Sequence, residues 1–328
     1  MTSEAIIQTD FSGIDGLQIA ANPVNQVHGL STLIQAAYVP VLPWDVLSEN
    51  GDLPAGEQRS LPQVIGLGGS GWVHRASMLA PQVHASQRVL ALTITGSAAT
   101  QFSAPVPFYI FPVPDQVSLA AAATLVGGGD EAWQLLHQIP EDPAVRVLVA
   151  GASGGVGLYL LQLLMQRRQF PDVISSPRSQ QWLQSRFPEL QVYTSDGLPA
   201  DAQYDVVVDL ASQTQLLRQL EPHYSHGQLI VAGLPGYQPL DRTITAHFEN
   251  GLVSPGVYRR LLGMLAKGVI QADIDSIYPY PQVQTAQKQL HAGLHGAGYC
   301  CSLKMILIND KNDSAQFFEG RVIIISRY

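Results

Sequence analysis

Four glycines, Gly151, Gly154, Gly155 and Gly157, stand between one apolar run at residues 145–150 and a second that continues to Leu164. Val145, Val147, Leu148, Val149 and Ala150 read as a buried parallel strand, because both of its faces are apolar. Gly151 permits a sharp turn, Gly154 or Gly155 lets the backbone approach a diphosphate, and Gly157 lets the following helix pack closely on the strand. Ser153 and Val156 complete the turn. The unpaired N–H groups at a helix start, with the positive end of its dipole, favour an anion there. The chemistry is therefore dinucleotide binding, and the alternative is a strand–helix connection that uses glycine only for packing.

The elements that must hold this turn alternate downstream as in a doubly wound parallel sheet. The strands expected are DVIS at 172–175, LQVYT, YDVVVDL and GQLIVAGL, and the helices expected are QQWLQSRF and LLRQLEPHY. Upstream, PDQVSLAAAATLVGGGDEAWQLLHQI reads as a helix pair with Ser118 as an N-cap. GVYRRLLGMLAKGVI predicts a late helix and KMILI a late strand. The proline- and glycine-rich part before Gln63 reads as mostly irregular.

Composition narrows the function classes. The 328 residues suggest two domains; 46% are hydrophobic and 13% charged, which is enough apolar material for sizeable cores. A net charge of −8 without a basic stripe argues against a nucleic-acid partner. No apolar run reaches the length needed to span a bilayer. The start, MTSEAIIQTD, does not read as a signal peptide, so a cytoplasmic location is expected. The two cysteines, Cys300 and Cys301, are adjacent, which disfavours a disulfide between them.

Eleven stretches, from residue 17 to residue 307, carry a family resemblance. They are LQIAANPVNQVHG, LPQVIGLGGSGWV, QRVLAL, FPVPDQVSLAAAATL, EAWQLL, VLVAGASGGVG, VISSPRSQQWL, VYTSDG, YDVVVDLAS, GQLIVAGL and GYCCSLKMIL. In this order the chain resembles the medium-chain dehydrogenase/reductases, in their zinc-free quinone oxidoreductase and enoyl reductase branch. The resemblance implies an α/β protein with two parts. One is a Rossmann doubly wound parallel sheet over residues 119–269. The other is a discontinuous GroES-like, mainly β substrate domain over residues 1–118 and 270–328, shortened at the N-terminus, with the active site in the cleft.

An acid near the end of the second strand would select NAD, whereas small hydroxyls and an arginine would accept the additional phosphate of NADP. Here stand Ser175, Ser176 and Arg178, without an acid, and Tyr193 matches a tyrosine that lies beside that phosphate in the enzymes resembled. NADPH is the expected cofactor. Ala211 after the fourth strand and Ala232, Gly233 and Leu234 after the fifth are expected beside the dinucleotide, and Lys304 matches a family lysine that closes on it. Surface or strand-start roles are the alternatives for Arg178 and Lys304.

Catalytic zinc needs about three ligands. The family's His-Glu pair falls on Leu67 and Gly68, no cysteine precedes Cys300, and His28, His74 and His84 are not at ligand spacing, so no zinc is expected. A carbonyl must then be polarised by hydrogen bonds. Asn22 matches an asparagine at the nicotinamide end of the cleft, with a turn role before Pro23 as the alternative. Tyr38 could donate to a carbonyl, with packing in an irregular loop as the alternative.

Leu17–Ala21 matches a strand that the family precedes with a longer segment, which would leave an edge bare, and the extra tail RVIII could cover that edge or pair with another subunit. The function expected is an NADPH-dependent reductase of quinones, enones or similar activated carbonyls or alkenes. It would act on a small-molecule electron acceptor, without nucleic-acid or membrane partners, as a homodimer. The alternative is a catalytically silent NADP(H)-binding sensor or interaction protein.

Overall fold

A computed structural model describes residues 3–22, 30–53, 59–234, 236–248, 251–295, 305–308 and 323–325. The chain forms two compact units, Met1–Gly127 with Ser254–His291 and Lys304–Ser326, and Gly128–Val253 with Ala292–Leu303 and Arg327–Tyr328. Residues 119–127 and the helix Pro255–Ala266 thus fall in the first unit.

The second unit is built on a six-stranded parallel sheet. From edge to edge its strands are Val192–Tyr193, Asp172–Ile174, Val147–Ala150, Val206–Asp209, Gln228–Val231 and Thr245–Phe248. Numbered along the chain this is the order 3-2-1-4-5-6 of a dinucleotide-binding sheet, the Rossmann architecture expected. Strands such as VLVA and VVVD are buried throughout, as a parallel sheet covered on both faces requires. The register brings Ala150 level with Ile174 and Asp209, and Asp209 level with Val231, so the strands end together along one edge. Leu148, Val207, Leu217, Tyr224 and Leu229 belong to the apolar core beneath that edge. Helix Gly155–Gln166 buries residues on every side, in keeping with its nearly continuous leucines. Helix Pro177–Arg186 starts at the N-cap Ser176 with proline in its first turn. The sixth strand, Thr245–Phe248, is not marked in the sequence by an apolar run.

The first unit is mainly β, as a GroES-like domain should be. Leu17–Ala21, Glu4–Gln8 and Gln63–Val64 make a three-stranded sheet. An eight-stranded sheet runs Ser276–Pro279, Ile323–Ile325, Met305–Ile308, Thr32–Val41, Gly68–Arg75, Arg88–Leu92 and Ile110–Pro112, with Gln101–Ala104 also paired to Thr32–Val41. Ser118 caps helix Leu119–Ala123, its hydroxyl accepting from Ala121 N at 3.1 Å, and the second helix of the pair is Asp130–Gln138.

Three expectations need correction here. The part before Gln63 is not mostly irregular: it contains the ten-residue strand Thr32–Val41 and the helix Pro43–Asn50. Pro40 inside that strand disguised it, since proline argues against a central strand. Leu17–Ala21 is not the first strand of its sheet in the chain, because Glu4–Gln8 precedes it and pairs with it residue for residue, from Glu4 with Ala21 to Gln8 with Leu17, and Leu17–Ala21 itself lies at an edge of that sheet. The tail strand Ile323–Ile325 pairs with Ser276–Pro279 and Met305–Ile308 and so belongs to the eight-stranded sheet.

Candidate functional site

The glycine turn follows the first strand of the parallel sheet. Gly151 adopts φ +81°, and a Cβ on it would lie 2.6 Å from Ala211 N and 2.8 Å from the Leu210 carbonyl carbon. A side chain there would collide with backbone, so the turn and the loop after the fourth strand are locked together. Leu210 N donates to Ala150 O at 2.8 Å and holds this lock, and Gly151 N donates to Ile174 O at 2.9 Å and ties the turn to the second strand. A Cβ on Gly157 would stand 2.5 Å from Ala152 Cα, so glycine there brings the helix against the turn. Ser153 and Val156 are buried within it. The first N–H groups of helix Gly155–Gln166 have no carbonyl four residues back within the helix, and such donors, with the dipole, suit a diphosphate.

Two further loops meet the turn. Asp209 closes the fourth strand fully buried, and its Oδ1 accepts from Ala211 N at 3.0 Å and Ser212 N at 3.2 Å. Its main-chain carbonyl accepts from Ala232 N at 3.1 Å, which joins the loop after the fifth strand. Ser212 adopts φ +54°, and its hydroxyl occupies the space that a Cβ on Gly233 would need. Gly151, Ala211, Ala232 and Gly233 are therefore gathered at one edge, with Leu234 next in the chain. Burial pushes the Asp209 carboxyl up to about 7, against the lowering effect of the two amides. Asp209 and Ser212 were not singled out from the sequence, although a lone acid ending an apolar strand is itself a signal.

At the end of the second strand, Ser175 N donates to Tyr193 O at 2.9 Å, and Ile174 pairs with Tyr193. The serine hydroxyls face inward. Ser176 Oγ accepts from Ser179 N at 3.3 Å as the helix cap, and Ser175 Oγ bonds Ser176 O at 3.2 Å. Arg178 is exposed and makes no ion pair among the described residues. Of the three residues expected to select a phosphate, the two serines are thus engaged within the chain, and the Arg178 guanidinium is exposed.

The catalytic candidates are placed less favourably. Asn22 Nδ2 donates to Gln101 O at 2.8 Å, a bond that ties the end of the first hairpin to a neighbouring strand. Tyr38 lies in strand Thr32–Val41 rather than in an irregular loop and packs against Ala120 and Ala123. Lys304, Pro23, His28 and the paired cysteines lie outside the described residues. Within the β-rich unit, Trp44, Asp45, Ser48, Arg59 and Gln63 help line a cavity of about 280 Å³. Asp45 Oδ2 accepts from Leu42 N at 2.8 Å, and burial raises this carboxyl to about 6 against the opposing pull of that bond and of Arg59. Among the described residues no group of three or more His, Cys, Asp or Glu side chains is arranged to hold a metal ion, and no helix is long and apolar enough to cross a membrane.

No protein-family model and no curated protein matches the sequence. Solved structures do match. A quinone oxidoreductase from Coxiella burnetii superposes with a TM-score of 0.79 at 19% identity, covering 93% of this chain and 99% of that one. The CurK enoyl reductase gives 0.77 at 18% identity, covering 92% and 98%. A mycobacterial protein solved in complex with NADPH gives 0.75 at 21% identity, covering 89% and 97%. At these identities the likeness is one of fold, and it extends over nearly the full length of each.

Proposed function

We propose that this chain is a metal-free, NADPH-dependent reductase that passes hydride to a quinone, enone or similar activated carbonyl or alkene. The observation that carries the reading is the convergence of three loops at the carboxyl edge of the parallel sheet. The glycine turn at 151–157, the loop at 209–212 and the loop at 232–234 are held together by backbone bonds and by glycines whose Cβ positions are already taken. Crevices of this kind at the carboxyl ends of strands are where open α/β sheets bind ligands. The fold shared with a quinone oxidoreductase, an enoyl reductase and an NADPH complex supports the same reading.

In this reading the main-chain amides at the start of helix Gly155–Gln166 hold the diphosphate, and Arg178 holds the phosphate on the adenosine ribose. Backbone groups of Ala232, Gly233 and Leu234 orient the nicotinamide carboxamide. When bound, the dihydronicotinamide supplies the hydride. The chain's own contribution is orientation, exclusion of water and hydrogen bonding to the acceptor oxygen.

Titration with NADPH, followed through tryptophan fluorescence from Trp182 on the helix that carries Arg178, tests the first half. A panel of quinones and enones, followed by NADPH oxidation, tests the second. Binding with turnover is the expected result; binding without oxidation of any acceptor would instead support the silent sensor, and no binding would overturn both.

A further inference from the structure

We propose that Asp209 is the positioning residue of the dinucleotide site and that ionisation of its carboxyl weakens the hold on the anionic cofactor. This rests on the reading of the parallel-sheet unit as a dinucleotide site and goes beyond it by naming what aligns the loops and what regulates them.

Three of the loops' connections pass through this one residue. Its Oδ1 takes the amides of Ala211 and Ser212, its carbonyl takes the amide of Ala232, and the loop it shapes stands 2.6 Å from where a Gly151 side chain would begin. Ser212, held at φ +54° by this arrangement, fills the space beside Gly233. Removing the carboxyl oxygen would free both amides and relax the separation between the glycine turn and the loop at 232–234.

The other oxygen, Oδ2, is buried and has no hydrogen-bond partner among the described residues. A buried acceptor without a donor is costly for a carboxylate, and a proton on Oδ2 removes the charge while leaving Oδ1 free to accept. Among the described residues no cation is paired with this carboxyl. The paired strands Val147–Ala150 and Gln228–Val231 bring only neutral side chains, and the turn at Gly151 has none. The phenols of Tyr224 and Tyr237 are within electrostatic reach of Asp209, and both are held neutral, pushed upward chiefly by burial. Beyond them Glu221 is already paired with Arg218 at 2.7 Å. Burial raises the Asp209 carboxyl to about 7, so the group changes charge near neutrality. A new negative charge beneath the loops that face a diphosphate repels it in a low-dielectric setting.

The test uses the full chain and NADH as the probe, because NADH lacks the additional phosphate, whose own titration would confuse the result. The parent protein is expected to lose about tenfold in NADH affinity between about pH 6 and pH 8.5. Asp209→Asn keeps an acceptor oxygen for the two amides and cannot ionise, so its affinity should be flat over that range. Asp205→Asn, at the other end of the same strand, where Asp205 caps Arg146 N at 2.8 Å, should leave the parent's pH dependence intact. Thermal melting of each variant reports whether it is folded. A flat profile in the parent overturns the proposal without any variant. The same slope in the parent and in Asp209→Asn also overturns it. If neither NADH nor NADPH binds at any pH, the dinucleotide reading itself falls and the proposal with it.

Discussion

At the scale of single residues, Arg178 and Gly157 make the sharpest claims. Arg178 is exposed in the first turn of a helix whose cap, Ser176, lies two residues past the end of the second strand, and no acid stands between them. A guanidinium–phosphate contact is charge-assisted, so Arg178→Ala is expected to weaken NADPH by about 1.5–3 kcal/mol while leaving NADH nearly unchanged. Parallel titrations of the two cofactors decide this, and equal losses would mean that the residue supports the fold rather than the phosphate. Gly157 makes the opposite kind of claim. A Cβ there meets the Ala152 backbone at 2.5 Å, which cannot move aside as a flexible side chain would. Gly157→Ala is therefore expected to cost about 1–3 kcal/mol in urea unfolding; a variant as stable as the parent would show that the helix start has slack. Both residues were legible in the sequence because their type alone, glycine after a strand or arginine after two serines, implies the contact. Asp209 was not, because its role depends on amides two and three residues onward and on a loop that arrives from the fifth strand.

At the scale of elements, legibility follows how each strand is buried. Val147–Ala150, Val206–Asp209 and Gln228–Val231 are apolar on both faces, so a short apolar run marks each of them. Thr32–Val41 sits in an antiparallel sheet, mixes Gln35 and Pro40 with apolar residues and shifts register against Gly68–Arg75, so no simple period identifies it. Helix Pro43–Asn50 was missed with it, and that helix carries an unusual acid. Glu49 is fully buried, and Gln287 Nε2 on helix Val283–His295 donates to its Oε1 at 2.7 Å. Burial raises its carboxyl to about 9; the nearby charge of Asp45 adds to the rise and the Gln287 bond opposes it. In the unfolded chain the same carboxyl titrates near 4.5, so between these values the folded protein keeps a proton that the unfolded chain releases. Stability then falls as pH rises through that window, by up to about 1.4 kcal/mol per unit from this residue. Asp45, raised to about 6, adds a fall in the same direction at the lower end. Thermal melting at about pH 5 and about pH 8 should show a smaller loss for Glu49→Gln than for the parent, and a steeper loss would contradict the assignment.

At the scale of the whole molecule, the edge of the parallel sheet that is unpaired among the described residues is where two copies are expected to meet. One edge is the two-residue strand Val192–Tyr193, too short to template a partner. The other is Thr245–Phe248, mostly exposed, with Phe248 at 36% exposure. The tail strand Ile323–Ile325 does not cap this edge, since it is paired inside the eight-stranded sheet. Thr245 N donates inward to Gly227 O at 3.1 Å. Because donors alternate along a parallel strand, the amide of Ala246 faces outward, where a second copy's strand can accept it. The full chain is therefore expected to run as a dimer by light scattering. Ala246→Pro removes only the outward donor and places proline where edge strands tolerate it, so it should yield monomers that melt close to the parent's temperature. A parent that is monomeric, or a proline variant that remains dimeric, would move the contact away from this edge. A variant that is both monomeric and strongly destabilised would mean that Ala246 faces into its own sheet, contrary to the alternation that Thr245 sets.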